Sequence, residues 1–312
     1  MSQDSRELPF PFVVGTNGSG STLLRAILDA HPDLAIPGPS RFIVPLARRR
    51  RTYERPAGFA QERLMADLFA QPRFVKWNLM EEEVRNTLAT PPVAEYPEAV
   101  RRLFALYARR RGKSRYGDKT HEYVHHLPML ADLFPEARFV HVIRDGRDVV
   151  LAHAGTGRLE QVALSWKRRV RQGRRSGLRL GPERYREVRY ERLVGETEGV
   201  VRELCGFIRL DFDERMLKYF ERADEVVATT RGAARHDDLY LPPTQGLQDW
   251  RTQMTEDQVA RFEAVAGDVL EELGYARAVP RPGPGVRLQA WLGGAAALLG
   301  RQGGRGRKLG SD

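Results

Sequence analysis

Residues 15–22 combine three glycines with hydroxyl side chains in the order Gly15-Thr-Asn-Gly-Ser-Gly-Ser-Thr22. The glycines permit a tight turn and a close approach of the backbone to a ligand. A helix that begins at Ser21 would direct backbone N–H groups and the positive end of its dipole at one point, which suits a phosphate or sulfate. The spacing Gly15-x4-Gly20-Ser21-Thr22 matches a Walker A motif, except that Ser21 replaces the lysine that serves the phosphates of a nucleoside triphosphate. An ordinary strand-turn-helix of an α/β protein is the simpler alternative.

A second candidate binding group follows the apolar run Phe139 to Ile143, in the segment RFVHVIRDGRDVVL. The run predicts a buried parallel strand, and Arg144 comes directly after it. Open α/β sheets bind ligands at the carboxyl ends of their strands. A guanidinium at that edge would suit a phosphate dianion.

The segment Tyr116 to His126, YGDKTHEYVHH, contains groups that could move a proton. His121 suits a base near neutral pH, because an unperturbed histidine has a pKa of about 6.5. The string His121-Glu122-Tyr-Val-His125 also matches the H-E-x-x-H motif of zinc peptidases. Pro128 lies three residues after His125 and no convincing third ligand is present, so we predict no metal site.

The elements that would position these groups alternate between strands and helices, and they predict an α/β fold with an open, P-loop-like parallel sheet covered by helices on both faces. Strands are predicted at 10–16, 138–143 and 185–190, with shorter pieces near 34–36 and 73–76. Helices are predicted at 21–30, 59–70, 81–89, 96–111, 122–134, 147–154, 160–177, 196–207, 213–222 and 255–272.

The chain resembles the sulfotransferases that use 3′-phosphoadenosine 5′-phosphosulfate. GTNGSGSTLLRAILDAHPDL resembles their 5′-phosphosulfate loop and VIRDGRDVV their 3′-phosphate motif, and the resemblance continues through DKTH, VRYERLV and GLQDWRTQMT. It implies transfer of a sulfuryl group from this donor to a hydroxyl-bearing acceptor. The residues it assigns to the donor are Gly18, Ser19, Gly20, Ser21 and Thr22 for the phosphosulfate, Arg144 for the 3′-phosphate, Tyr190 for the nucleotide and Arg251 for a late loop that closes over the donor.

Lys119, Thr120 and His121 match the Lys-Thr-His segment of the cytosolic small-molecule sulfotransferases. The resemblance implies that Lys119 assists sulfuryl transfer and that His121 is the base. Three positions depart from the family pattern. Gly18 stands where a lysine or arginine is usual, Ala152 where a serine is usual, and Pro39 where one branch of the family has a glutamate base.

These departures leave two alternatives open. One is a non-catalytic protein that binds the donor or its desulfated product. The other is a P-loop phosphotransferase, which the loss of the Walker lysine at Ser21 disfavours. The acceptor and the oligomeric state cannot be inferred from these motifs.

Composition and sequence pattern predict the domain organisation, the cellular location and the charge of the partner. We predict one α/β domain over residues 1–279 and a tail rich in glycine and arginine over residues 280–312, whose apolar stretch Trp291 to Leu299 is too short to span a bilayer. Cys205 is the single cysteine, which excludes an internal disulfide, and its apolar neighbours predict a buried side chain. The first ten residues lack the pattern of a signal peptide, so a cytoplasmic location is expected. The net charge of +10 favours an anionic partner, and a polyanionic donor explains it without nucleic acid.

Overall fold

The computed structural model describes residues 8–153, 159–228, 237–286, 288–290 and 292–293. They form two compact units. The first takes its described residues from Met1–Gly15, Gly20–Ile143 and Gly173–Gln245, and the second from Thr16–Ser19, Arg144–Gln172 and Gly246–Asp312. Trp291 and residues 294–299 of the apolar tail stretch lie outside the described residues. The division into a domain over 1–279 and a tail stays a prediction.

The strands belong to the first unit. They are β1 Phe10–Gly15, β2 Leu34–Ala35, β3 Glu54–Arg55, β4 Gly58–Phe59, β5 Arg115–Tyr116, β6 Asp118–Lys119, β7 Ala137–Ile143 and β8 Tyr185–Arg189. The central sheet has the order β6-β1-β7-β8, and each neighbouring pair is parallel. All four carboxyl ends therefore lie at one edge of this sheet.

Most of the ten predicted helices are present, and several short helices that were not predicted lie between them. They are α1 Ser21–Asp29, α2 Ile43–Ala47, α3 Gln61–Phe69, α4 Pro72–Val75, α5 Glu81–Ala89, α6 Tyr96–Arg109, α7 Leu127–Leu133, α8 Gly146–Leu151, α9 Leu159–Leu180, α10 Tyr190–Gly195, α11 Thr197–Ile208, α12 Ala223–Ala228, α13 Trp250–Gln253 and α14 Glu256–Glu272, with 3₁₀ turns at Arg50–Thr52, His121–His125, Glu214–Arg222 and Asp237–Tyr240.

Both faces of the central sheet are covered. Alternate side chains of β1 enter opposite cores, because successive residues of a strand point to opposite faces. Phe10, Phe12 and Val14 pack in one core with residues of α2, α3 and α5–α7. Val13 packs in the other with residues of α1 and α10–α12. This arrangement confirms the predicted α/β class and the open parallel sheet.

Three predicted elements are wrong in type, and one of them is the helix expected over 213–222, which is a 3₁₀ helix at Glu214–Arg222 with a kink at Lys218. The strand expected near 73–76 is the short helix α4, because Pro72 occupies the first helical turn, where its fixed φ favours a helix start. The single helix expected over 122–134 is a 3₁₀ turn at His121–His125 followed by α7, and Pro128 lies in the first turn of α7. The predicted burial of Cys205 is confirmed, and its Sγ lies 3.7 Å from Sδ of Met216.

The second unit is organised around a buried arginine. Arg147 of α8 donates from Nε and Nη2 to both carboxylate oxygens of Asp145 and from Nη1 to Oε1 of Glu263 on α14, over 2.7–3.0 Å. Its guanidinium also lies 3.6 Å from the ring centroid of Trp250 on α13. These contacts connect three helices of the unit.

Candidate functional site

The start of α1 has the features of an anion site. Gly20 is its N-cap residue with a left-handed φ of 89°, and it has no side chain that could cap the helix. A Cβ at this position would lie 2.2 Å from Cδ2 of Tyr190, so the tyrosine ring packs directly on the glycine backbone. The first-turn N–H groups of Ser21 and Thr22, together with the helix dipole, suit an anionic ligand in the role of the missing cap. Tyr190 therefore contacts the element to which the sequence assigned the phosphosulfate.

A buried lysine from the neighbouring strand reaches this helix start. Lys119 lies in β6, beside Val13 of β1 in the parallel register, and its Nζ donates a 2.8 Å hydrogen bond to Oγ1 of Thr22. Burial lowers the pKa of Lys119 to about 7, and the nearby positive charge of Arg25 acts in the same direction. The first unit thus places an ammonium group at the first turn of α1, although Ser21 replaces the Walker lysine.

Arg25 and Asp118 are charged residues near this lysine that the sequence reasoning missed. Arg25 is buried on α1 and donates from Nε to the carbonyl oxygen of Ile36 at 2.9 Å. Its position within the apolar run Leu23 to Leu28 was the available signal, since an arginine on a core-facing helix needs buried partners. Asp118 is fully buried, and burial raises its pKa to about 6.

A hydrogen-bond network joins the segment that lacks the family glutamate to the Lys-Thr-His segment. Thr120 Oγ1 donates to Oδ1 of Asp118 at 3.2 Å and accepts from the backbone N–H of Ser40 at 3.0 Å. The Ser40 hydroxyl lies 2.9 Å from the hydroxyl of Tyr123. Pro39, which stands where one branch of the family has its glutamate base, therefore directly precedes a serine that is anchored to Thr120 and Tyr123.

His121 begins the 3₁₀ turn that follows β6. Its side chain is 13% exposed, and its Nδ1 lies 3.5 Å from Oε2 of Glu122. Glu122 also forms an ion pair with Arg41. In a 3₁₀ turn, residues four apart are rotated by about 120° about the axis, so His121 and His125 do not share one face as H-E-x-x-H requires. Within the described residues, no group of three or more potential ligands is arranged to hold a metal.

The loop Thr16–Ser19 belongs to the second unit. Gly18 has a left-handed φ of 85°, and a Cβ there would lie 2.9 Å from Cβ of Ala152 and 3.3 Å from Cε1 of His153. Ser19 is fully buried, and its hydroxyl oxygen has no hydrogen-bond partner among the described residues. Gly18 and Ala152, two of the three departures from the family pattern, are therefore neighbours, and the missing side chain of Gly18 leaves room for the methyl group of Ala152.

Arg144 follows β7 and is buried in the second unit. Its Nη2 donates to the carbonyl oxygen of Gln248 at 2.9 Å, and its Nε lies 3.4 Å from Oδ2 of Asp148. Asp148 in turn accepts from the backbone N–H of Trp250 at 2.9 Å. These contacts hold Arg144 against the segment Gln248 to Trp250.

Arg251 differs from the other predicted donor residues in being open to solvent. Its side chain is 68% exposed and pairs with Asp249, and its guanidinium lies 4.8 Å from the ring centroid of Trp250. Its contact with a donor stays a prediction.

Comparison with known proteins identifies the family. The sequence profile of the sulfotransferase family matches residues 9–214. Protein-tyrosine sulfotransferase A of Caenorhabditis elegans is 24% identical over 290 residues, covering 87% of this chain and 68% of the relative. Protein-tyrosine sulfotransferase 1 of Danio rerio is 24% identical over 287 residues, covering 87% and 73%.

Solved structures show the same fold. The sulfotransferase domain of the Synechococcus PCC 7002 olefin synthase has a TM-score of 0.55 and 22% identity, covering 86% of this chain and 95% of that domain. The sulfotransferase domain from the curacin biosynthetic pathway has a TM-score of 0.57 and 16% identity, covering 86% and 98%.

The chain belongs to the sulfotransferase family. The predicted enzyme class is thereby confirmed, as is the predicted function, transfer of a sulfuryl group from 3′-phosphoadenosine 5′-phosphosulfate to a hydroxyl acceptor. None of the described helices is both long enough and apolar enough to cross a membrane.

Proposed function

We propose that the phosphosulfate of the donor binds at the start of α1 and that Lys119 carries the positive charge of the transfer step. The 2.8 Å hydrogen bond between Lys119 Nζ and Thr22 Oγ1 supports this most directly, because it brings a buried cation to a helix N-terminus. Gly20 allows close approach of the donor, and Ser21 and Thr22 supply N–H groups and hydroxyls. Gly18 and Ser19 of the loop contribute backbone N–H groups and the buried Ser19 hydroxyl.

Arg144 is proposed to bind the 3′-phosphate. It is a buried guanidinium oriented by Gln248 and Asp148, and such groups recognise phosphate through charge-assisted hydrogen bonds. Tyr190 holds Gly20 in place and contacts the nucleotide. Arg251, which lies in the short helix α13 and not in the expected loop, reaches the donor from that helix.

We propose that His121 accepts the proton of the acceptor hydroxyl. As the acceptor oxygen forms its bond to sulfur, the bond between sulfur and the bridging phosphate oxygen breaks, and adenosine 3′,5′-bisphosphate leaves. Lys119 stabilises the negative charge that develops on the leaving phosphate. The protein supplies this charge without a metal ion, so EDTA should leave turnover unchanged.

A phenolic hydroxyl is the acceptor class we propose. The relatives from Caenorhabditis elegans and Danio rerio are named protein-tyrosine sulfotransferases, and a phenol is more acidic than an aliphatic alcohol, which eases proton removal by a histidine. A tyrosine-containing peptide is therefore the first acceptor probe.

Substitution of the two transfer residues tests this function. His121→Ala should lower turnover of the peptide probe by roughly 100-fold or more with nearly unchanged donor affinity, because general-base catalysis typically contributes that much. Lys119→Ala should lower turnover most below about pH 7, where the wild-type lysine carries its charge, and the difference from the wild type should shrink at higher pH. His125→Ala, in the same 3₁₀ turn, is the matched control and should keep turnover near that of the wild type. Full turnover in a folded His121→Ala protein would remove His121 from the reaction.

A cytoplasmic location is the setting we propose. The single cysteine, Cys205, is buried and free, so the fold requires no oxidising compartment. Fractionation of the source cells, with the protein followed by antibody, would test this proposal.

A further inference from the structure

The carboxylate of Glu122 is held between two groups of the transfer segment. Its Oε1 pairs with the guanidinium of Arg41, and its Oε2 lies 3.5 Å from Nδ1 of His121. Oε2 is buried and has no hydrogen-bond partner among the described residues. One oxygen is thus anchored by an arginine, and the other is shielded from water and faces the imidazole.

Arg41 is itself in a constrained conformation. Its φ of 48° lies in the left-handed region, which non-glycine residues rarely adopt. It follows Ser40, which is buried and anchored to Thr120 and Tyr123. The backbone that carries Arg41 is therefore fixed to the same segment that carries Glu122.

Charged groups on the neighbouring elements also act on this centre. Arg25 of α1, Asp118 of β6 and Arg41 affect the pKa of Lys119, and the negative charge of Glu122 raises it. Arg41, His121 and Lys119 are thus the groups that a change at Glu122 would affect, and Arg25 and Asp118 act on Lys119 in addition.

We infer that Glu122 is a positioning residue for His121. Its carboxylate, 3.5 Å from Nδ1, favours the tautomer with the proton on Nδ1, and in that tautomer Nε2 is the nitrogen that can receive the acceptor proton. A carboxylate on Nδ1 fixes the tautomer and stabilises the imidazolium after transfer, as in other carboxylate–histidine pairs. The 3.5 Å separation suits a pair that tightens when the substrates bind.

This inference rests on the proposed role of His121, and it adds a carboxylate at a position that the family pattern does not provide. The proton of the acceptor hydroxyl moves to Nε2 while the acceptor oxygen bonds to sulfur and the sulfur–phosphate oxygen bond breaks. Glu122 stays ionised throughout and neither gains nor loses a proton.

Nitrogen-15 NMR of the histidine side chains tests the inference without turnover. The signal of His121 is assigned by its loss in His121→Ala. We expect the neutral imidazole of the wild type to carry its proton on Nδ1, and Glu122→Gln to shift the population toward the Nε2–H form. The pKa of His121 should fall by about 1 in Glu122→Gln, because a nearby negative charge favours the imidazolium. A wild-type imidazole protonated on Nε2, or the same tautomer and pKa in both proteins, would overturn the inference.

Kinetics with the tyrosine peptide separate positioning from a structural effect. Glu122→Gln should lower kcat by about 10- to 100-fold with unchanged donor affinity and move the acid limb of kcat to lower pH. Glu122→Asp should recover part of the lost kcat. In a His121→Ala background, the further substitution Glu122→Gln should lower kcat only slightly more. Glu198→Gln, which removes another arginine-paired carboxylate at an exposed helix position, is the control.

The outcomes distinguish this inference from the proposed function. If His121→Ala lowers turnover but Glu122→Gln leaves the acid limb of kcat unchanged, the role of Glu122 is rejected and His121 remains the base. A protein in which His121→Ala also has no effect would reject the base, while the tautomer measurement still decides what Glu122 does. If Glu122→Gln does not fold, Arg41→Gln removes the cation from the same carboxylate and should raise the pKa of His121, because the negative charge of Glu122 is then less compensated; an unchanged pKa would overturn the inference.

Discussion

Arg144 and Arg147 lie three positions apart in one motif, but their surroundings give them different roles. Arg147 is enclosed by Asp145, Glu263 and the ring of Trp250. Arg144 is held by Gln248 and by Asp148, with contacts of 2.9 to 3.4 Å. The sequence analysis assigned the 3′-phosphate to Arg144, and the folded contacts show that Arg147 is committed to two carboxylates.

Arg144→Ala should weaken the binding of adenosine 3′,5′-bisphosphate by about 2 kcal/mol or more, because a charge-assisted contact to phosphate is lost. The affinity for adenosine 5′-monophosphate, which has no 3′-phosphate, should change far less. Calorimetric titration of both ligands measures the difference. An equal loss for the two nucleotides would show that the substitution acts on the fold and not on the 3′-phosphate.

Gly18 is the other residue whose environment decides its role. A cation at this position would suit the family pattern, but its φ of 85° and the Cβ of Ala152 leave little space for a side chain. Gly18→Ala should lower the free energy of unfolding by more than the roughly 1 kcal/mol that left-handed backbone alone costs. Gly112→Ala is the matched control, because Gly112 has a φ of 68° but nothing within 4 Å of its Cβ position. Equal losses in urea denaturation would show that Ala152 does not crowd the loop.

Among the elements, long helices and buried strands were predictable, and short pieces were not. The helix at Glu81–Ala89 was predicted to the residue, since acidic residues begin it and apolar residues recur along it. β6 has only two residues, Asp118–Lys119, and no apolar pattern. It is a strand because it pairs with β1, which local sequence cannot reveal. The position of Lys119 beside Thr22 was for this reason not predictable, although the residue itself was.

The contacts around α8 predict a large effect on stability. Arg147→Ala would leave Asp145 as a buried carboxylate without its cation and Glu263 with the more distant Arg277, whose Nε lies 3.6 Å from Oε2, so the free energy of unfolding should fall by about 3–5 kcal/mol. Combining Arg147→Met with Glu263→Gln should lower the free energy of unfolding by less than the sum of the two separate losses, because each single variant already breaks the ion pair between these two residues. Urea denaturation of Arg147→Ala, Arg147→Met, Glu263→Gln and the double variant provides the measurement, and strictly additive losses in the double variant would contradict a coupled network.

Across the whole chain, much of the arginine excess is balanced locally. Arg110 pairs with Glu83, Arg111 with Glu225, and Arg174 with Glu187. The net charge of +10 therefore gave less information about ligands than a few buried cations.

Buried ionisable groups give the molecule a defined response to acid. His141 of β7 is fully buried, its Nδ1 lies 2.6 Å from the hydroxyl of Tyr185, and Gly173 closes over its ring. Burial lowers the pKa of His141 to about 3, and Arg174 and Arg189 add to the effect. Asp118 has the opposite response, since burial raises its pKa to about 6.

The two groups should change stability in opposite directions. The unfolded chain binds a proton at His141 below about pH 6.5 and the native protein does not, so this contribution is complete above pH 6.5 and is lost as the pH falls toward 3. In the native protein Asp118 keeps its proton up to about pH 6, whereas in the unfolded chain it releases the proton near pH 4. The contribution of Asp118 to stability is therefore lost as the pH rises from 4 to 6. On acidification below pH 6.5, the free energy of unfolding of the wild type should fall relative to that of His141→Gln by up to about 1.4 kcal/mol per pH unit. On acidification from pH 6 to 4, it should rise relative to that of Asp118→Asn. Urea denaturation from pH 4 to 8 measures both differences, and parallel curves for the wild type and His141→Gln would show that the native histidine is protonated as readily as the unfolded one.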